Sequence, residues 1–491
     1  MEVLAQVTRV SAHSADPPDL EGPAGGEAAL DSAATVRRGG PIEQVMSFVI
    51  RKLAWSRLSD PKVAVTVSGL GLLLGMIVGA TAPNVMTLPI RLPLSVLPSL
   101  GSDNAVTMIL LYTGDVLACL GLAGMLWAHS QGWRPDPRRL LLISAGIVAV
   151  MVCLTPVGSS DTASYAAYGR IASLGGNPYT TTPAKFLGAN SPYVHVVGTV
   201  WKDQSSVYGP IATLVQAFAA WIGGPHVEIT IWVLMILNGI VFIAVGYLLL
   251  RTSDDPVRAT LFWAANVVLI QQLVSGGQLD TFVAAAAICS IQVARKVSGL
   301  RGDLLVGLLV GLACGVKINA VLVAVGLAWP LLRRREWLRL ARMTAVALVV
   351  FGIEYSSYGL NALKSTFDGL HWVIMPSPWR LFQMAGEALG FSSSALVTVI
   401  NCLWPIAMLV LAWVIYRRIS SDQPREVVAP FALTFAWVLV APWVFAWYTA
   451  TAWATLTLVP RNRMTRWLTI VTVFLALWLS NGGHGQSYPN Q

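Results

Sequence analysis

The chain has 491 residues, 55% of them hydrophobic and only 12% charged, with a mean hydropathy of +0.64. A water-soluble chain carries roughly 25% charged residues, so this composition excludes a soluble enzyme, a nucleic-acid-binding module and a disordered scaffold. The formal charge of +9 is spread over short basic clusters between apolar runs, a placement that orients a membrane protein rather than one that grips a polyanion.

In chain order, residues 1–60 are rich in Ala, Gly, Ser, Pro and acids, with no apolar signal core. They predict an uncleaved, largely disordered cytoplasmic tail, with the stretch Ile42–Leu58 lying on the inner membrane surface. About 20 apolar residues cross a bilayer. The apolar runs 62–83, 106–129, 140–157, 229–250, 259–274, 281–295, 303–332, 343–359, 394–416, 429–447, 449–460 and 466–480 therefore predict spanning helices. The basic clusters Arg134/Arg138/Arg139, Arg295/Lys296/Arg301, Arg333/Arg334/Arg335/Arg339/Arg342, Arg417/Arg418 and Arg461/Arg463/Arg466 are expected to face the cytoplasm. Because 303–332 has such clusters on both sides, it must enter and return as two short helices that break near Gly315. The run 208–222 upsets the parity and predicts a re-entrant or tilted element.

The expected architecture is thus an all-α polytopic membrane protein with about 13 transmembrane helices. Residues 61–480 would form the membrane domain, with the N-terminus cytoplasmic and a large outer loop over 158–207 after the third span. A second outer loop is expected over 360–390, and 481–491 form a polar outer tail. No cytoplasmic loop is long enough to build a nucleotide-binding α/β unit. Gly69, Gly71 and Gly75, and the four-spaced Gly307, Gly311 and Gly315, read as small-residue faces for close helix packing. The cysteines Cys119, Cys153, Cys289, Cys314 and Cys402 lie in apolar runs without metal or redox spacing, and the six His are scattered. No disulfide framework, metal or cofactor is expected.

A charge at the bilayer centre costs roughly 2.5–3.5 kcal/mol on insertion scales, so ionisable residues in or beside spans are the functional candidates. They are Asp115, Asp161, Asp280, Lys317 and Glu354. Asp161 ends the third span at the mouth of the large loop, where a carboxylate can take a proton from a hydroxyl or merely cap the helix opening at Thr162. Tyr165, Tyr168 and Arg170 are predicted to share its helical face. Asp280 lies in the polar break Ser275–Thr281 and Lys317 at the tip of the 303–332 hairpin. The two either neutralise each other or bind substrate, Lys317 taking a phosphate and Asp280 a sugar hydroxyl. Asp115 reads as a structural hydrogen-bond partner, and Glu354 is open. Arg170 and Arg380 lie outside, positioned to grip a phosphate bidentately or simply to be solvated.

Asp161, then Asn177-Pro178-Tyr179 with the proline 17 residues after the acid, then Tyr208-Gly209-Pro210, form an ordered set of motifs. Together they resemble the actinobacterial polyprenol-phosphomannose-dependent α-1,6-mannosyltransferases of the GT-C class. Lys317-Ile318 is similar to that family's K-L motif after a Gly-rich half-helix, and Pro442-Trp443 with Trp447-Tyr448 to its late P-W and W-Y pairs. Gln278-Leu279 stands where the family has His-Asn before the acid. The resemblance runs in order from about residue 60 to 480. It implies a polyprenyl-phosphomannose donor, a cell-envelope glycan or glycolipid acceptor, and direct displacement with inversion on the outer face. It further implies Asp161 as base, Lys317, Arg170 and Arg380 as partners of the leaving phosphate, and Tyr165, Tyr179 and Tyr208 as sugar contacts. The rival class is a lipid-linked substrate transporter or flippase, which inverted repeats with paired broken helices would favour; the sequence shows no such repeat.

Overall fold

The computed structural model describes residues 60–101, 104–359, 361–368, 372–419 and 425–479. The predicted cytoplasmic tail before Asp60, its amphipathic stretch Ile42–Leu58 and the polar tail 481–491 lie outside the described residues. Among the described residues the chain is helical, with two isolated β-bridges, Asn84–Gly101 and Thr87–Val157.

Several helices begin the same way, with an aspartate followed by proline. The carboxylates of Asp60, Asp136 and Asp255 accept the backbone N–H of Lys62, Arg138 and Arg258 at 2.8, 2.9 and 3.0 Å. Each caps a helix whose first residue is Pro, which gives up no hydrogen bond there. These helices are α1 (Pro61–Ala80), α3 (Pro137–Met151) and α7 (Pro256–Phe262). Between them lie α2 (Asn104–Ser130), α4 (Asp161–Ser173), α5 (Pro210–Gly223) and α6 (Val227–Thr252). After α7 come α8 (Asp280–Lys296), α9 (Gly299–Val316), α10 (Val321–Arg333), α11 (Trp337–Ser356), α12 (Asn361–Asp368) and α13 (Pro378–Ala388). The chain continues through α14 (Ser393–Arg418), α15 (Arg425–Val440), α16 (Ala450–Leu456) and α17 (Met464–Leu479).

The predicted glycine faces are used in part. A methyl built on Gly71 would lie 2.6 Å from the backbone nitrogen of Ala118, and one on Gly121 would lie 2.6 Å from that of Ser68. The backbones of α1 and α2 therefore touch without side chains between them. Gly307 and Gly311 let α11 lie close on α9, meeting the carbonyl of Met343 and the side chains of Val346 and Val350. Gly69 has open space around it and takes no part. Replacing Gly71 by valine forces the two helices apart, because the atoms it meets are backbone. The expected cost is about 1–3 kcal/mol, visible as a lower melting temperature of the detergent-solubilised protein; an unchanged melting temperature would contradict this packing.

By length and composition, six helices among the described residues can cross a membrane: α1, α2, α6, the run Pro256–Ser275, α9 and α14. Four shorter apolar helices accompany them, Pro210–Gly223, Ile318–Arg333, Glu426–Val440 and Met464–Trp478. This is fewer than the number of crossings predicted, and the reason is visible in the backbone. Apolar runs that look continuous in sequence are interrupted by irregular segments at 152–160, 263–266, 317–320 and 441–445. Trp263, Ala264 and Asn266 in one of these breaks are fully buried. Non-helical backbone at membrane depth is tolerated only where protein surrounds it or where it lines a cavity. The run 208–222, expected to be re-entrant or tilted, forms α5, whose 14 residues span about 21 Å at 1.5 Å per residue, short of a bilayer core.

The basic residues gather at shared helix ends. Arg461 and His129 reach the Asp255 carboxylate at 3.1 and 3.7 Å, and Arg258 donates to the carbonyls of Leu456 and Val459 at 3.1 and 2.7 Å. Arg339 pairs with Asp303 at 3.0 Å and Arg334 with Glu426 at 2.6 Å. Asp280 opens α8 and Lys317 follows the last residue of α9, so each lies at the end of its helix opposite the basic clusters at 295–301.

Candidate active site

The predicted outer loop after the third helix is packed structure. Its first helix, α4, buries Thr162 to Gly169 and Ile171 and lies on α5, with Gly169 against the backbone of Gln216. Asp161 is the first residue of α4. Ser160 occupies the cap position, and no side-chain cap bond is made there, so Asp161 does not serve as the N-cap. Instead its N–H donates to the hydroxyl of Ser159 at 3.2 Å. The preceding segment is pinned from two sides, Val157 N–H donating to the Ser275 carbonyl and Gly158 N–H to that of Met86, each at 3.1 Å. That anchoring fixes where the carboxylate begins.

Three separated stretches converge around it. The Tyr208-Gly209-Pro210 turn reaches the end of α9, where Gly209 N–H donates to the Val316 carbonyl at 3.0 Å. Gly209 and Gly315 meet backbone to backbone, leaving no room for a Cβ on Gly209. One residue beyond Val316 the helix ends and Lys317 turns extended, at φ −145° and ψ 136°. The predicted break near Gly315 is therefore real, and its purpose is to aim Lys317 sideways. The Lys317 ammonium lies 2.7 Å from the Asp280 carboxylate, with 13% and 3% of the side chains exposed. It also sits 4.8 Å above the ring of Tyr448 and 5.8 Å from that of Tyr208, both cation–π distances.

Asp161 lies within electrostatic reach of both Lys317 and Asp280, and the Tyr165 hydroxyl and Gln278 amide approach its carboxylate. Tyr165 packs edge-on against Tyr208 with ring centres 4.8 Å apart. Tyr168 lies 6.4 Å from the same ring, its hydroxyl donating to the Gln204 carbonyl at 3.1 Å. The structure therefore brings together Asp161, Tyr165, Tyr168, Tyr208, Asp280 and Lys317.

It leaves the other three candidates elsewhere. Arg170 stands 5.8 Å over the ring of Tyr193. Nine residues along a helix is two and a half turns, which puts Arg170 half a turn from Asp161 and corrects the expectation that they share a face. Arg380 donates to Gln383 at 2.8 Å and lies 4.0 Å from Glu387 on its own helix. The Tyr179 hydroxyl pairs with that of Thr213 at 2.7 Å, and its ring packs on Tyr358 at 5.1 Å. The Asn177-Pro178-Tyr179 motif thus docks the loop on the end of α11, where Asn177 donates to the Tyr358 carbonyl at 3.0 Å.

Sequence reasoning missed Gln278 as a site residue. Fully buried, it donates to the Ser159 hydroxyl at 2.9 Å and accepts from the Tyr165 hydroxyl at 3.2 Å. Asn238 holds its carbonyl at 2.6 Å and Thr281 at 3.2 Å. The available signal was its place two residues before Asp280 in the polar break Ser275–Thr281 between two apolar runs. Gln278→Leu strands the Ser159 and Tyr165 hydroxyls, each loss costing about 1–3 kcal/mol. The rate of whatever reaction this site performs is expected to fall at least tenfold while the protein still inserts, as read by initial rates on membranes; a rate within twofold of wild type would show that the amide is not needed.

Comparison with known proteins supplies the class to which this all-helical, membrane-embedded arrangement belongs. A family model described as "Alpha-(1->6)-mannopyranosyltransferase, N-terminal domain" matches residues 63–333. The match covers more than half of the chain, and the chain belongs to that family, with the GT-C-type helical fold expected of it. It is 22% identical over 448 residues to alpha-(1->6)-mannopyranosyltransferase A of Corynebacterium glutamicum, covering 77% of this chain and 89% of the relative. It is 25% identical over 309 residues to a probable alpha-(1->6)-mannopyranosyltransferase of Mycolicibacterium smegmatis, covering 61% of this chain but only 51% of that relative. The alpha-(1->6)-mannopyranosyltransferase A of Mycobacterium tuberculosis is 24% identical over 400 residues, 72% of each chain. No solved structure matches the chain.

Proposed function

We propose that this protein is a membrane mannosyltransferase that moves mannose from a polyprenyl phosphate to a cell-envelope glycan or glycolipid acceptor on the outer face. The observation that carries the reading is the convergence of Asp161, Asp280 and Lys317 from three segments at helix ends opposite the basic clusters. Basic clusters mark the cytoplasmic side, which supports an outward-facing site. A lipid-linked donor in the same leaflet needs no nucleotide-binding domain.

In the proposed reaction an acceptor hydroxyl gives its proton to the Asp161 carboxylate as its oxygen bonds to C1 of the mannose. The bond from C1 to the phosphate oxygen breaks, and its electron pair leaves with the polyprenyl phosphate. Attack from the face opposite the leaving group turns a β-linked donor into an α-linked product. Lys317 is a compact, hydrated point charge suited to phosphate, and its ammonium meets the negative charge that grows on the leaving group. Asp280 holds Lys317 in place and offers its other oxygen to a sugar hydroxyl. Tyr165 and Tyr208 wall the space between base and lysine. Arg170 and Arg380 engage other partners and take no part.

The test uses membranes that contain the protein, a short α-1,6-linked mannoside acceptor and two radiolabelled donors, polyprenyl-phosphomannose and GDP-mannose. Transfer from the lipid donor alone is expected. Transfer from the nucleotide donor in membranes free of polyprenyl phosphate, or from neither donor, would overturn the reading.

A further inference from the structure

Helix α13 carries an apolar face that the described residues leave open. At about 100° per residue, Leu381, Phe382, Met384 and Leu389 fall within about 160° of its circumference. These four and Phe391 are between 44% and 79% exposed. The other side is occupied: Gln383 donates to the Ser393 hydroxyl at 2.7 Å, and a methyl built on Gly386 would meet Leu396 at 2.6 Å. Arg380 and Glu387, 4.0 Å apart, form a charged edge between the two sides. At Gly390, with φ 90°, the chain reverses into α14.

The depth of this face follows from α14, which is apolar, 26 residues long and ends at Arg417 and Arg418. Its rise is about 39 Å at 1.5 Å per residue, against a hydrocarbon core of about 30 Å. About 4–5 Å of helix therefore emerges at each end, and Leu396 lies about 4.5 Å along it from Ser393. The contact of Gly386 with Leu396 thus holds α13 where hydrocarbon gives way to headgroups, at the end opposite the basic pair. Lower down, α14 itself leaves Val399, Leu403 and Ile406 exposed. A broad apolar face beside a charged edge suits that boundary and does not suit water. We propose that α13 is an interfacial helix, with its apolar face and Phe391 sunk in membrane lipid and Arg380 and Glu387 among the headgroups. The seating reaches the candidate active site. Just before and within the first turn of α13, Ile374 N–H donates to the Pro442 carbonyl at 3.1 Å and the Trp379 indole to that of Val440 at 2.5 Å. Trp372 stacks on Trp443 with ring centres 4.3 Å apart. The break at 441–445 that they hold leads to Tyr448, whose ring lies under Lys317. Such seating is independent of which reaction the site performs.

The test replaces Leu381, Leu389 or Glu387, one at a time, by the photo-crosslinking residue p-benzoylphenylalanine in the full-length protein. Each variant is reconstituted in vesicles of phosphatidylethanolamine and phosphatidylglycerol with radiolabelled acyl chains, and irradiated. Label is expected on the protein at positions 381 and 389 with at least three times the yield at 387, on the charged edge. No lipid capture at 381 and 389 would mean that the face meets water, and a product of twice the chain's mass that it meets a second copy. Equal capture at all three positions would mean that the helix has no lipid-facing side. Each of these results overturns the proposal, as does capture of another protein in place of lipid when native membranes are irradiated. A second variant combines Leu389→Glu with Phe391→Glu. Both side chains are exposed, so the melting temperature is expected to hold while lipid capture at position 381 falls at least threefold. Unchanged capture there would also overturn the proposal.

Discussion

Asp161→Asn is expected to reduce mannosyl transfer by about 10²–10⁴-fold, the contribution of a positioned general base. The amide is the same size as the carboxyl and fits beside Tyr165 and Gln278, both of which approach Asp161. Ser159 continues to hold the backbone N–H. The fold and the melting temperature should therefore persist, and the loss should fall on kcat while the donor KM stays near that of wild type. A variant that keeps more than a tenth of wild-type kcat would remove Asp161 from the proton-accepting role and turn attention to Asp280.

Lys317 carries the second large effect, and here stability and activity can be pulled apart. The Lys317–Asp280 pair is almost wholly buried, at 2.7 Å. Removing one member of such a pair strands the other charge and costs about 3–5 kcal/mol, whereas replacing both by apolar groups is often neutral. Lys317→Met alone is expected to lower the melting temperature sharply and abolish transfer. The double variant Lys317→Met/Asp280→Leu is expected to recover most of the melting temperature and none of the transfer. A double variant that regains both would make the pair a structural tie and nothing more.

Much of this site was legible in the sequence because membranes make charge rare. Asp161, Asp280 and Lys317 stood out against apolar surroundings, and the basic flanks of 303–332 required a break where Lys317 now projects. Four-residue glycine spacing predicted a close-packing face on α9, and α11 is the helix that fills it. Other features were hidden for physical reasons. Hydropathy cannot distinguish a spanning helix from helical pieces joined by buried irregular backbone, which is how the run 259–274 came to contain a break at 263–266 and a π-helical turn at Ile270–Ser275. A spacing of nine falls half a turn off rather than on one face, so Arg170 does not join the cluster with which its position in the sequence groups it. Tyr179 carries a recognisable motif, yet its hydroxyl is committed to Thr213. Gln278 looked like a departure from the family's pattern and proved to be the buried link between Ser159 and Tyr165. Uncharged polar residues give no hydropathy signal strong enough to reveal such a role, and only the three-dimensional arrangement shows which hydroxyls they join.

The most direct measurement reconstitutes the purified protein in vesicles with labelled polyprenyl-phosphomannose and supplies an α-1,6-mannoside outside. It follows extension of the acceptor and movement of the lipid between leaflets in the same sample. The account predicts an acceptor lengthened by one α-linked mannose, an equal amount of released polyprenyl phosphate, and no acceleration of lipid movement. Accelerated movement of the intact lipid with no extension of the acceptor would contradict it and establish a transporter.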